Sequence, residues 1–159
     1  MTDRHDAAAV RFPPPLIPLG AILLSVVVQR VWPLDLGVSL SPPFRYWVGG
    51  GIVVTAFFAL GLWAVVLFRR AGQSELPWTP TPRIEQRGPF RFTRNPMYLQ
   101  MVLICLGLAI IMMNWWLLLC TPIVGWLLQR HAIHPEEAYL ERKFGDEYRD
   151  YKRRVSRWL

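Results

Sequence analysis

Cysteine and histidine are both scarce in this chain, two and three among 159 residues. Cys105 and Cys120 both fall inside apolar runs, so a disulfide framework is not expected and they read as small apolar packing residues. His131 and His134 stand three apart beside Glu136 and Glu137, but the remaining histidine is the distant His5, so no metal site is expected. Acidic residues are also in deficit, 11 against 18 Lys and Arg, a formal net charge of +7. No base-stacking or groove-reading motif accompanies that charge, and nucleic acid is not expected as a partner. The charges are missing from the long apolar stretches and gather between them, the pattern of membrane orientation and anionic headgroups.

What the chain has in excess is apolar surface. It is 53% hydrophobic with a mean hydropathy of +0.24. A soluble domain of this length cannot hide so much, because a small core buries only part of its surface. A lipid bilayer is therefore the expected environment. The expected fold class is all-α: a polytopic membrane protein with about four transmembrane helices, a C-terminal helical hairpin among them, and short cytoplasmic interfacial helices.

The chain reads as one membrane domain, 1–159. Residues 1–15 form a polar, then proline-rich tail, and residues 16–32 form the first apolar run. Arg30, Trp32 and Pro33 follow that run where a small-residue cleavage site would stand, so it reads as a retained helix. Residues 33–46, with Pro33, Pro42 and Pro43, read as a loop. Residues 47–68 are uncharged and long enough to span about 30 Å of hydrocarbon. Residues 69–96 form a basic, proline-rich cytoplasmic loop. Residues 97–128 are too long for one span and suit a helical hairpin turning near Asn114, with Pro122 kinking its second arm. Residues 129–159 form a charged cytoplasmic segment. Four spans put 16 of the 18 Lys and Arg on one side, leaving Arg30 and Arg45 opposite, so both termini and the 69–96 loop are expected in the cytoplasm.

Within the last segment, Leu140, Phe144, Tyr148, Tyr151, Val155 and Trp158 draw one apolar stripe at helical spacing. Gly145 should stop one short helix and Asp146 cap the next. The tail is expected to lie along the membrane or fold back over the helix ends.

Two motifs carry chemistry. The first is Arg87-Gly88-Pro89-Phe90-Arg91-Phe92-Thr93-Arg94-Asn95-Pro96-Met97-Tyr98. Gly88-Pro89 is a turn dipeptide; Asn95-Pro96 biases Asn95 away from helix and places Pro96 in the first turn of the next one. Free backbone N–H groups at that helix start, with Arg87, Arg91 and Arg94 nearby, suit an anionic or ring-nitrogen ligand. The second is Glu136-Glu137 after Pro135, carboxylates placed for the first turn of a helix.

These motifs, with a closing Phe144-Gly145-Asp146-Glu147-Tyr148-Arg149-Asp150-Tyr151 and Val155, resemble the isoprenylcysteine carboxyl methyltransferase and phospholipid methyltransferase superfamily over about residues 80–158. The resemblance implies S-adenosylmethionine as cofactor, enclosed by the last helices and the C-terminal segment. It places Phe90, Asn95, Pro96, Met97, Tyr98 and Glu136 at that cofactor, with Glu137 beside them and Arg83, Ile84 and Glu85 lining the pocket. It puts Arg94, Asn95 and Arg130 at the chemistry, and the arginines Arg91, Arg94 and Arg130 are candidates to hold an acidic head group. The acceptor implied is a lipophilic or small molecule, a carboxylate, amine or thiol, met at the bilayer. Three positions depart from the family pattern. Asn95 replaces a histidine and cannot shuttle a proton near neutral pH. Gln100 replaces a small residue. Ala132 replaces an arginine, for which Arg130 is the nearest substitute. Two other readings stay open: a nicotinamide-dependent membrane reductase of the sterol reductase type, which shares a similar C-terminal layout, and a non-catalytic membrane protein with a decayed site.

Overall fold

The computed structural model describes residues 8, 10, 12–74, 76 and 79–159. Among them every regular element is helical. Helix α1 covers Leu16–Val31 and ends where the Gln29 side chain exchanges hydrogen bonds with the backbone of Leu34. Helices α2 (Pro42–Thr55) and α3 (Trp63–Arg70) are joined through a π-helical segment, Ala56–Leu62, into one unbroken rod. Helix α4 covers Pro96–Met112. Helices α5 (Trp115–Leu128) and α6 (His134–Phe144) are joined through π-helical Gln129–Ile133, and α7 covers Asp146–Arg154.

The rod Pro42–Arg70 is the one described helix long and apolar enough to cross a membrane; α1 and α4 are apolar but shorter. Three sequence expectations need correction. Pro42 and Pro43 do not sit in a loop: they open α2, where a missing N–H costs nothing. The second arm of the hairpin does not stop at 128: the helix of residues 115–144 runs on, the widened turn just before Pro135 accommodates its ring and missing donor, and Glu136 and Glu137 stand in the first turn of α6 as expected. Asp146 does not cap α7: Gly145 holds the cap position, and the Asp146 carboxylate pairs with Arg149 at 2.6 Å.

The hairpin is as expected. Met113 adopts a left-handed conformation (φ 51°), and the Asn114 side chain caps α5 by accepting from the Leu117 N–H at 3.0 Å. Helix α5 continues through Pro122. Helix α4 lies at the centre, against α2, the first π segment and α5, while α1 packs on α5. The α2–α4 crossing is backbone to backbone: a Cβ on Gly49 would stand 2.6 Å from the Gly107 carbonyl oxygen, and one on Gly107 would stand 2.7 Å from that of Gly49. Small residues permit such an approach, and close packing supplies its attraction. The core combines Cys105 and Ala109 of α4 with Leu117, Val124, Leu128 and Ile133, and Trp158 packs on it from the tail.

Candidate functional site

The basic loop is clamped at both ends. Gly72 (φ 65°) reverses the chain after α3, and the Gln73 N–H bonds the Phe68 carbonyl at 2.8 Å while Gly72 N–H bonds that of Arg69, a Schellman closure. Gly88 (φ 58°) starts the 3₁₀ turn Gly88–Arg91 against Trp63 and Leu67 of α3, leaving no room for a side chain. That turn buries Phe90 in a stack on Phe68, with centroids 5.1 Å apart. Glu85 is buried under a bidentate grip from Arg87 at 2.8 and 2.9 Å, with Arg83 at 3.7 Å. The Arg87 hydrogen bond, against the cost of burial, holds its carboxyl below the usual carboxylate range.

From the other side, α6 carries the acidic pair to the start of α4. The Tyr98 hydroxyl donates a short hydrogen bond to Glu136. Glu137 receives Arg94 at 2.7 Å and Arg157 at 2.6 and 3.1 Å. The two carboxyls titrate in opposite directions. Burial, with the neighbouring Glu137 charge, pushes Glu136 up to about 7 despite the Tyr98 hydrogen bond. Burial also works against charge on Glu137, but the two arginines outweigh it and hold its carboxyl below the ordinary range. Within the Arg94–Glu137 pair both side chains are only 8% exposed, so removing either partner strands the other.

The tail folds back over the loop and locks it through main-chain groups. Arg94 N–H bonds the Ser156 carbonyl at 3.0 Å, and the Thr93 hydroxyl and Asn95 amide bond that of Arg157 at 3.1 Å each. The Arg94 guanidinium reaches the carbonyls of Lys152 and Val155, and the Tyr151 hydroxyl reaches that of Phe90 at 2.7 Å. Of the two alternatives for the stripe, folding back is the one found: Tyr148 and Tyr151 are buried.

Between loop, acidic pair and tail lies one cleft. Its empty space out to the open mouth is about 830 Å³. Of the residues singled out in the sequence, Arg83, Ile84, Glu85 and Phe90 line it from the loop. Arg94, Asn95, Pro96, Met97 and Tyr98 line it from the entry to α4, and Glu136 and Glu137 from α6. Arg130 is not brought there: it stands exposed on the second π segment, outside the lining. Phe68, Gln73, Tyr139, Tyr148 and Tyr151 are also in the wall and were not expected as site residues. The two late tyrosines belonged to the apolar stripe, and only their hydroxyls hinted at more. Gln73 carries no signal in the sequence.

Three buried side-chain polar atoms among the described residues lack a hydrogen-bond partner: Arg45 Nε, Gln73 Oε1 and Arg94 Nε. Two of the three belong to residues lining this cleft. They are of opposite sense, one acceptor and one charged donor. Buried polar groups in folded proteins are nearly always satisfied. The residues around the cleft thus include an unpartnered guanidinium N–H and an unpartnered amide oxygen, both buried, with a carboxyl and a stacked aromatic pair. Those groups fit a zwitterionic nucleoside such as S-adenosylmethionine: an acceptor for its amines, a donor for its carboxylate, a carboxylate for its sulfonium.

Comparison with known proteins agrees with this composition. Over 63 residues the chain is 44% identical to an uncharacterized protein of Haemophilus influenzae, a stretch covering 40% of this chain and all of that protein. No solved structure matches the chain. The family model of phospholipid methyltransferases matches residues 44–147, from the start of the long rod to the first turn of α7, taking in the loop and the acidic pair of the cleft but not Tyr148 and Tyr151, and the chain belongs to that methyltransferase family.

Proposed function

We propose that the protein is an S-adenosylmethionine-dependent methyltransferase acting on a lipophilic or small acceptor, a carboxylate, amine or thiol, at the membrane. The observation that carries this reading is the cleft itself, where the arginine-rich turn and the acidic pair converge and leave Arg94 Nε and Gln73 Oε1 unpartnered. When bound, S-adenosylmethionine supplies a methyl group already activated on a sulfonium. The protein's task is then to hold, align and exclude water. Glu136, oriented by Tyr98, sets a carboxylate where a cationic ligand lowers its proton affinity. The Arg94 Nε–H is free to take a carboxylate while its other nitrogens stay anchored. Tyr98, Tyr148 and Tyr151 give an aromatic wall to a cation, and the tail covers the cleft against water.

The membrane reading extends from one helix to four spans. Leu19, Leu23 and Leu24 of α1, Val54, Phe57 and Phe58 of the rod, and Leu119, Ile123 and Trp126 of α5 are all exposed apolar side chains, a surface suited to lipid. With four spans, the charge count puts both termini and the cleft in the cytoplasm. The acceptor then meets the cleft from the bilayer.

Calorimetric titration of the detergent-purified protein with S-adenosylmethionine, and separately with NADPH, tests the reading. Micromolar binding of S-adenosylmethionine alone is expected. Binding of NADPH alone would favour the reductase, and binding of neither the decayed site. Glu136→Gln should weaken S-adenosylmethionine by about tenfold, the worth of a charged hydrogen bond of roughly 1.5 kcal/mol; unchanged affinity would remove Glu136 from the site.

A further inference from the structure

We propose that Gln73 is the residue that reads the base of the bound nucleoside, its side-chain oxygen taking the exocyclic amine of adenine; this rests on the cofactor reading above. Gln73 is 9% exposed and lines the cleft, yet its Oε1 has no partner among the described residues. A buried carboxamide oxygen without a donor is a standing cost, and the cleft at its side is where a donor can arrive. The position of Gln73 tells which part of the ligand meets it. Its own N–H is bonded to the carbonyl of Phe68, whose ring stacks on Phe90. Flat rings at that end of the cleft suit a flat base, whose amine lies in the ring plane and needs an acceptor at the edge.

On the loop side the one carboxylate, Glu85, is already closed by Arg87 and Arg83, and the other charged groups lie on another wall. Arg94 and Glu137 are bonded to each other, and Glu136 is held by Tyr98, all at the junction of α4 and α6. Gln73 follows α3. The cleft is therefore divided, with a neutral amide and aromatic rings on the α3 side and fixed charges on the α4–α6 side. A ligand with a neutral base at one end and an amino-acid group at the other has one orientation that suits both. The Schellman closure pins the Gln73 backbone, so the side chain meets the base without first ordering the chain.

The test uses the full-length protein in detergent, titrated by calorimetry with S-adenosylhomocysteine and with its 6-deamino analogue, in which hydrogen replaces the exocyclic amine. The wild-type protein should prefer the amine-bearing ligand by about tenfold. Gln73→Leu, of similar size but without the acceptor, should lose about tenfold for S-adenosylhomocysteine and almost nothing for the analogue, bringing the two within about twofold. Its melting temperature without ligand should not fall, because the variant removes an unsatisfied polar atom. Gln73→Glu, which keeps an acceptor, should retain the preference. Unchanged affinity in Gln73→Leu, or an equal loss for both ligands, overturns this inference and leaves the cofactor reading standing. No binding of either ligand by the wild-type protein overturns both.

Discussion

The helical body and the polar cap above it are held together in different ways. The body consists of α1, the rod and the α4–α5 hairpin. It exposes much of its apolar surface, with Trp47 and Val31 about four-fifths open, and coheres where backbones touch, as at Gly49 and Gly107. The cap consists of residues 71–74 and 79–95, α6, α7 and the tail. It coheres through directional bonds on Arg94, Glu137, Thr93 and Asn95. The body should therefore be sensitive to volume and indifferent to charge chemistry, and the cap the reverse.

The hardest test of that contrast is Glu137→Leu. It strands Arg94, whose side chain is nearly enclosed, and should cost about 3–5 kcal/mol. Thermal unfolding in detergent would measure it, and adding Arg94→Met should restore a large part. A loss below about 1 kcal/mol would mean that the cap does not depend on this pair. Next comes Gly107→Val in the body, which drives carbon into the Gly49 carbonyl and should cost about 1–3 kcal/mol. Gly51→Ala, with open space around it, should cost nothing. Equal effects from the two glycines would remove the close crossing as the source of cohesion.

Acid and base should then act on the cap in opposite ways. Glu137 has its carboxyl held low in the folded state, so its contribution is present above the ordinary carboxylate value and is lost as pH falls through the folded one. Glu136 is pushed up to about 7, so the folded state holds a proton that the unfolded chain has released, and stability declines as pH rises from about 4.5 to about 7. Unfolding midpoints should fall below about pH 4.5, where Glu137 takes up its proton, and fall again as pH rises from about 4.5 to about 7, where Glu136 loses its own. Glu136→Gln should flatten the alkaline limb alone, and a limb unchanged by that variant would assign it to another group. A small effect belongs to Gly61→Ala, where the added carbon meets only the end of the Gln100 side chain. A cost under about 1 kcal/mol, erased by Gln100→Ala, is expected in the same unfolding assay.

What was legible in the sequence was local chemistry. Gly88-Pro89, Asn95-Pro96, the Asn114 turn and Gly145 each fix the backbone with residues that have few other uses, and each stands where the sequence placed it. The cleft was legible to the same extent, because its motifs lie at those turns. The π segments were not: an apolar run looks the same whether its hydrogen bonds skip four residues or five. Pro42 and Pro43 misled because two prolines suit a helix start as well as a loop. The partner of Arg94 was also hidden. Several loop arginines could have met either glutamate, and only the folded chain selects the pair, turning an arginine expected at the chemistry into one anchored by three nitrogen–oxygen contacts on its terminal nitrogens while Nε stays free. Gln73 gained its interest wholly from what surrounds it.

The tail's grip on the loop has a consequence for which changes it can absorb. Residues 93–95 bind carbonyl oxygens of Ser156 and Arg157, and every residue type supplies a carbonyl. Ser156 can therefore be exchanged freely without releasing the latch. Removing or adding a single residue between Tyr151 and Ser156 is another matter, because it shifts every acceptor out of step at once. At Ser156 the tail behaves as a measured length of backbone, tolerant of spelling and intolerant of spacing, while Tyr151 and Arg157 on either side of it hold on by their side chains.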